Sequence, residues 1–332
     1  MAESLRDFAE RAGPGLIGLD RKALFEQLEE RHERLLAALE WFLDQGRTDD
    51  ALRLSTSLAP FWTATKRLEE ASVWFDRILA SPGGEDANRG RACAEAGFVV
   101  FWRGEDDRSS AFFGNALETG RATGDPTLVA RGLTGLARIA LRSEDFAEAR
   151  RLCREALAVT EGTADRAGRS NAFHVLGVAA QMAGDLLEAR EHMAERIRLS
   201  RELGSYAGLS MEASNLSMVE RQLGNLDRAD ELAREALDIF SRREDEWAIP
   251  YGLNSLAAVA RDRGELTRAA TLIGAAEALV EGQGAAWPPD ERQHYEESVA
   301  TLSEALGPVD FERVRAAGQA LSSRDAVDYA LS

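Results

Sequence analysis

Apolar and small side chains recur along this chain at an interval of 40 residues, and glycine marks most of the intervals. Each marker follows one amphipathic segment of helical periodicity and precedes another, as glycine does when it ends a helix. The markers stand at Gly104, Gly184, Gly224 and Gly264, with Glu144 at the one position of this series that lacks glycine. An earlier pair of segments fits the pattern if Lys66 replaces the turn glycine. The spacing therefore predicts a series of helical hairpins, one in each repeat.

Four columns of positions keep their character from repeat to repeat and predict how the hairpins pack. Two columns hold small residues, one in each helix, which let the helices approach closely. They are Gly97, Ala137, Gly177, Ser217 and Ala257 in the first helix, and Ser109, Ala149, Ala189, Ala229 and Ala269 in the second. The apolar columns are Ala96, Leu136, Leu176, Leu216 and Leu256 in the first helix, and Leu117, Leu157, Ile197 and Leu237 in the second, where Glu277 is the exception. Such columns predict stacked hairpins.

Both ends of the chain depart from the repeat, as the end units of a solenoid must. Residues 22–45 are predicted to form one long helix that Gly46 stops. Residues 13–18 match G-x-G-x-x-G, but without a preceding strand they are predicted to be a loop between helices. Near the other end, a helix is predicted to open at residues 287–290, and Ser322 is placed to cap a last helix. We therefore divide the chain into an N-terminal helical cap (1–46), a repeat array (47–285) and a C-terminal helical cap (286–332).

The second helix of the repeats carries the spacing A-x3-Φ-x2-A-Φ, in which Φ is an apolar residue. Two sets of residues match this spacing: Ala149, Cys153, Ala156 and Leu157, and then Ala229, Ala233, Ala236 and Leu237. This pattern resembles tetratricopeptide repeats, whose usual unit is shorter, about 34 residues. Residues 30–41 and 269–331 resemble the beginning and the end of the MalT-like repeat region of actinobacterial LuxR-type regulators and STAND-class predicted ATPases.

The resemblance implies an all-α fold, a right-handed superhelical solenoid of tetratricopeptide-like hairpins. It also implies a sensor role, because in such regulators the repeats receive a small inducer or a partner protein beside a nucleotide-binding module and often a helix-turn-helix DNA-binding domain. This sequence contains no G-x-x-x-x-G-K-[ST] loop and no basic recognition helix after Leu331. The sequence leaves open whether the chain is a fragment of a larger regulator or a free-standing relative.

The composition of the chain disfavours some kinds of binding partner. The 57 acidic and 40 basic side chains give a net charge of −17, which disfavours direct binding to nucleic acid. No apolar run approaches the roughly 20 residues of a membrane helix, and the N-terminus does not resemble an export signal. We therefore expect a cytoplasmic location without a membrane partner. Cys93 and Cys153 fall on apolar helix positions and are expected to be buried, unreactive thiols.

No motif indicates catalysis. The four histidines lie far apart, without carboxylates or cysteines at metal-ligand spacing, and the sequence contains neither G-x-S-x-G nor H-E-x-x-H. We expect no enzyme activity, no metal site and no cofactor.

The candidate binding surface is the concave face, which the first helices of successive hairpins would form. Its columns vary while the packing columns stay constant, which is typical of a binding face on a rigid scaffold. The residues predicted to contact a guest are Phe98, Phe101, Trp102, Arg131, Arg138, Asn171, His174, Met218, Arg221, Tyr251 and Asn254. Arginines beside apolar groups suit a protein or peptide partner, or a small anionic or amphipathic effector. Three alternatives remain open: a protein–protein adaptor without a small effector, a solvated inner face whose arginines pair with neighbouring acids, and, as the weakest of them, an enzyme-like pocket built in the groove.

Overall fold

The structure is a computed structural model that describes residues 1–283 and 289–332. Helices joined by short turns make up this described part, which contains no strand. The all-α prediction is therefore confirmed. The chain forms two compact units, Met1–Ser205 and Tyr206–Ser332. The repeat pattern does not predict this division, because the 40-residue spacing from Gly184 to Gly224 runs through it unchanged.

The first unit contains an N-terminal helical segment and four hairpins. The segment consists of α1 (Ala2–Ala12), α2 (Lys22–Glu30) and α3 (His32–Asp44), with a 3-10 turn at Gly13–Ile17. The hairpins are α4 (Thr48–Ala64) with α5 (Leu68–Ala80), α6 (Asp86–Trp102) with α7 (Asp106–Thr123), α8 (Pro126–Arg142) with α9 (Phe146–Val159), and α10 (Arg166–Met182) with α11 (Leu186–Leu203). Each hairpin packs on the next, since α6 contacts α8 and α8 contacts α10. The G-x-G-x-x-G string is a connection between helices, as predicted.

The second unit contains two hairpins and three further helices. The hairpins are α12 (Tyr206–Gln222) with α13 (Leu226–Arg242), and α14 (Ile249–Asp262) with α15 (Leu266–Gly282). The further helices are α16 (Pro289–Leu306), α17 (Pro308–Gln319) and α18 (Ser323–Leu331). The Ser322 hydroxyl accepts a hydrogen bond from the Asp325 amide, which confirms the predicted cap of α18. Trp287, where the sequence predicts the opening of a helix, lies outside the described residues.

The single helix predicted for residues 22–45 is wrong, because the chain breaks at Arg31 into α2 and α3. The backbone there has φ −104° and ψ 0°, outside the helical region. The Arg31 guanidinium donates to the Gln27 carbonyl at 2.8 Å and lies 4.9 Å from the ring centroid of Phe8 on α1. Beyond the break, His32 is buried and its Nε2 lies 2.9 Å from the carboxylate of Glu70 on α5. These tertiary contacts override a helical pattern that continues through Arg31 in the sequence.

The small-residue columns are confirmed by the packing. Every member of the second-helix column, from Ser109 to Ala269, is completely buried. Two serines show that the two columns meet inside a hairpin: the hydroxyl of Ser109 donates to the Gly97 carbonyl at 2.9 Å, and that of Ser217 donates to the Ala229 carbonyl at 2.8 Å. Small side chains thus let the two backbones approach within reach of one side-chain hydrogen bond.

The turn column is also confirmed, including its two charged members. Glu144 and Lys66 have φ values of 59° and 61°, in the left-handed region that the glycines of the column occupy. A Cβ in this region makes an unfavourable contact with the backbone, at a cost of roughly 1–2 kcal/mol.

Replacing Glu144 by glycine is therefore expected to stabilise the first unit. Glu144→Gly should raise the free energy of unfolding by about 0.5–1 kcal/mol, because relief of the Cβ contact exceeds the entropy that glycine adds to the unfolded chain. The measurement is hydrogen exchange of the α8 and α9 amides, because the chain consists of two units and is not expected to unfold in one step. The matched variant is Gly184→Ala at the same place in the next repeat, where a Cβ would meet no atom within 4 Å and only the φ of +84° is unfavourable. The free energy of unfolding of this variant should fall by a similar amount. A stabilised Gly184→Ala protein would contradict the explanation.

Candidate functional site

Seven of the predicted guest-binding residues lie on α6, α8 and α10 of the first unit, and Phe98 and Arg138 are in contact. The Arg138 guanidinium lies 5.6 Å from the ring centroid of Phe98. The Phe98 ring packs edge-on against Phe113 of α7, at 5.0 Å between centroids. The ring is held from two sides, so it presents a fixed, half-buried apolar surface beside a cation.

Arg131 forms an ion pair with Glu95 of the preceding first helix. The Glu95 carboxylate raises the pKa of the Arg131 guanidinium above its ordinary value, mainly by its charge. Arg131 therefore stays protonated, and its charge is balanced by a neighbour within the unit.

A third group lies at the C-terminal end of α6. Phe101 is buried there, whereas Trp102 is 58% exposed. Arg142 of α8 lies 3.6 Å from the Phe101 ring centroid, donates to the Phe101 carbonyl at 3.0 Å and forms an ion pair with Asp106. The sequence prediction omitted Arg142, although it occupies the position of Trp102 one repeat later. Trp102 is thus the exposed aromatic group of this end.

Asn171 and His174 extend the same face onto α10. They stand one repeat after Arg131 and Thr134, and both are half-buried. The structure therefore arranges the seven residues along three neighbouring first helices of one unit.

The remaining four predicted residues lie on α12 and α14 of the second unit. Met218 and Tyr251 are half-buried there, and Asn254 is buried. Arg221 donates to the carboxylate of Asp262 at 2.7 Å. Asp262 also pairs with Arg261, which donates to the Ser298 hydroxyl of α16 at 2.9 Å. This surface is therefore tied together by polar contacts between first helices and α16.

Ion pairs between neighbouring helices recur in both units. Arg131 pairs with Glu95, Arg142 with Asp106 and Arg221 with Asp262. Partial exposure and pairing limit the attraction of these arginines for a free anion. What the face offers is exposed aromatic and apolar surface between charges that are already balanced.

The cysteines and the possible metal ligands of the described part do not form a reactive or metal-binding site. Cys153 is buried, and burial raises its pKa to about 12. Burial also raises the pKa of the half-buried Cys93 thiol. Within the residues that the structure describes, no three histidine, cysteine or acidic side chains are grouped to hold a metal ion. No helix of this described part is long and apolar enough to cross a bilayer.

Comparison with known proteins agrees with the repeat architecture. Residues 133–291 match the family model of the MalT-like TPR region. Proteins of Mycobacterium bovis and Mycobacterium tuberculosis, named as candidate HTH-type transcriptional regulators, are 30% identical to this chain over 124 residues. The alignment covers 35% of this chain and 14% of each regulator, so the chain spans a small part of their length.

Two solved structures share the fold. A STAND protein from Pyrococcus horikoshii with a tetratricopeptide repeat sensor has a TM-score of 0.53 at 12% identity, covering 90% of this chain and 49% of that chain. A Rap protein in complex with competence and sporulation factor has a TM-score of 0.55 at 13% identity, covering 96% and 95%. The likeness concerns the fold alone. Tetratricopeptide-like helical repeats are a fold typical of protein-binding sensor and scaffold regions.

Proposed function

We propose that this chain, with its MalT-like tetratricopeptide region at residues 133–291, is the sensor or scaffold region of a transcriptional or signalling regulator. Its guest is a peptide or a protein segment bound along the first helices of the hairpins, and the chain itself is not catalytic and does not bind nucleic acid. The mycobacterial regulators and the STAND sensor support this role, and the Rap structure supports a peptide as the guest.

The observation that carries the choice of guest is the pairing of the arginines. A small anion would have to draw Arg131, Arg142 or Arg221 away from its carboxylate, which leaves that acid beside the anion. A peptide can instead cover Trp102 and the half-buried Phe98 while its own polar groups bond to the paired charges. We therefore favour a peptide over a small anionic effector.

Binding would bias the rest of the regulator by ordering the hairpins that the guest spans. Each hairpin contacts mainly its neighbours, so a segment that bridges α6, α8 and α10 adds contacts across three hairpins and opposes their relative motion. A free-standing adaptor would use the same surface without an attached output module. The size of the native gene product separates the two: a product of 36.3 kDa favours the adaptor, and a much larger one favours the sensor region.

Selection from a 12-residue phage-displayed peptide library on the purified chain tests the guest site. Trp102→Ala is expected to weaken the recovered peptides at least tenfold, because an exposed tryptophan in a binding face commonly dominates its energy. Trp41→Ala is the matched control, since Trp41 is 43% exposed on α3, outside the predicted face. Isothermal titration calorimetry gives the affinities. Peptides that bind the Trp102→Ala protein as tightly as the unmodified chain would reject this site.

A further inference from the structure

A second groove lies on the other side of α8, between α7 and α9. This groove, the α7–α9 groove, has a volume of about 500 Å³. Its floor is formed by four leucines: Leu117, Leu133, Leu136 and Leu152. On α8, Leu133 and Leu136 point away from Arg131 and Arg138, because two residues correspond to about 200° of rotation around a helix. The groove is therefore separate from the proposed guest site.

Charged side chains form the rim of the α7–α9 groove. Arg121 of α7 reaches Glu155 of α9 at 2.8 Å, and Arg151 pairs with Glu148 and Glu155. Asp145 lies with Glu148 at the N-terminal end of α9. An apolar floor between charged walls is the surface that an amphipathic helix covers.

At the next gap along the first unit, between α9 and α11, aromatic rings replace two of the floor leucines. Forty residues after Leu133 and Leu152 stand Phe173 and His192. Their rings pack against each other with 5.9 Å between centroids. The α7–α9 groove thus has leucines at two positions that carry packed rings one repeat later.

The second unit contains a groove with the same floor, and there a helix fills it. Three repeats after the four leucines of the α7–α9 groove stand Leu237, Leu253, Leu256 and Leu272. All four are buried, and α18 packs against the three helices that carry them, α13, α14 and α15. The apolar face of α18 consists of Ala326, Val327 and Ala330. In the first unit, by contrast, Leu136 remains partly exposed.

Charges at the two ends fix the direction of α18. Ser323, at its N-terminal end, donates to Glu246 at 3.1 Å. At its C-terminal end, Arg268 donates to the Ala330 carbonyl at 2.6 Å and Arg234 donates to the Ser332 carbonyl at 3.3 Å. Cations at the carbonyl end of a helix are favourable, because that end carries partial negative charge.

The α7–α9 groove carries the opposite charge at the corresponding end. Glu148 stands where the second unit has Arg268, and Gly114 stands where it has Arg234. A helix seated as α18 is would place its carbonyl end and the residue equivalent to Tyr329 beside Glu148, because Arg268 donates to the Ala330 carbonyl and lies 5.5 Å from the Tyr329 ring centroid. The groove therefore suits a helix with lysine or arginine at that end and disfavours the α18 of a second copy.

We propose that the α7–α9 groove is a docking surface for a short amphipathic helix of a partner protein, seated as α18 is seated in the second unit. The partner helix carries a basic residue at the end beside Asp145 and Glu148. This surface is distinct from the proposed guest site, and a sensor region that binds its guest on one side of α8 can contact its output partner on the other.

The test uses two labelled peptides, both held helical by a lactam bridge because free helices of this length are marginal. One has the sequence of residues 320–332 with an amidated C-terminus, and the other carries Tyr329→Arg in addition. Fluorescence polarisation on the full chain is expected to give the Tyr329→Arg peptide at least fivefold higher affinity. Glu148→Lys in the protein should reverse the preference.

A filled-groove variant provides the structural control. Leu133→Phe with Leu152→His copies the ring pair of the next repeat and is expected to weaken the Tyr329→Arg peptide at least tenfold. Trp102→Ala, at the guest site, should leave its affinity unchanged. Equal binding to the filled-groove variant and to the unmodified chain, or no binding of either peptide at about 1 mM, would overturn the proposal. Tighter binding of the unmodified peptide would point to a second copy and also overturn it.

Discussion

Gly318→Ala is expected to lower the local stability of the C-terminal helices by about 2–3 kcal/mol and to separate α17 from α15. A Cβ on Gly318 would stand 2.0 Å from the Thr271 carbonyl oxygen and 3.1 Å from the Ala275 amide nitrogen, both in the backbone of α15. The approach is reciprocal, since a Cβ on Gly274 would stand 2.1 Å from the Arg315 carbonyl oxygen. Backbone atoms of a helix cannot rotate aside as a side chain does, so the two helices must move apart.

Hydrogen exchange of the α17 amides is the measurement, because a chain of two units is not expected to unfold in one step. Protection of these amides should fall by roughly thirtyfold or more in Gly318→Ala, the equivalent of about 2 kcal/mol. The matched control is Gly282→Ala at the end of α15, where a Cβ would meet nothing within 4 Å. This control should leave α17 unchanged and gain at most about 1 kcal/mol of helix propensity. Unaltered protection in Gly318→Ala would contradict the close packing of α15 and α17.

The second large effect is expected at Glu277, where the apolar column of the repeats is interrupted. The Glu277 carboxylate accepts hydrogen bonds from the Tyr295 hydroxyl at 2.5 Å, the Arg315 guanidinium at 2.9 Å and the Gln319 amide at 2.8 Å. Burial and the hydrogen bond to Glu277 raise the pKa of Tyr295 well above its ordinary value. One carboxylate thus joins α15 to both α16 and α17.

Glu277→Leu restores the residue type of the other repeats, yet it is expected to destabilise α16 and α17 by about 2 kcal/mol. Three donors would lose their acceptor, and the partly buried Arg315 would keep a charge without Glu277. Exchange protection of α16 and α17 measures the loss. Adding Arg315→Leu to Glu277→Leu should recover part of it, because the second change removes a partly buried charge whose remaining partner is the exposed carboxylate of Glu312. A more stable Glu277→Leu protein would mean that apolar packing outweighs the network.

The repeated part of the fold was predictable because its signals are local and recur. The left-handed turns at Lys66 and Glu144 follow from alignment with glycine in other repeats, although neither residue favours that conformation by itself. The buried small columns follow in the same way. The break at Arg31 could not be predicted, because its causes are a side-chain hydrogen bond and contacts with α1 that no periodicity records.

The candidate site was less predictable than the scaffold. Periodicity selects the face that carries Phe98 and Arg138, and the structure brings these two into contact. Periodicity cannot show that Arg131 pairs with Glu95 across two repeats or that Arg142 covers Phe101, since side-chain conformation decides these contacts. In the sequence, Glu277 appears only as a charged residue in an otherwise apolar column, so the hydrogen bonds around it could not be predicted.

The seat of α18 also affects the order in which the second unit forms. Most helices of this unit pack on their neighbours in sequence, so their contacts close short loops and form early. The contact between Arg234 and Ser332 spans 98 residues and closes a far longer loop. Until α18 arrives, the leucine floor of α13, α14 and α15 lacks the cover that this helix provides. During synthesis or refolding this floor is therefore the surface that a chaperone, or another unfinished chain, would meet first.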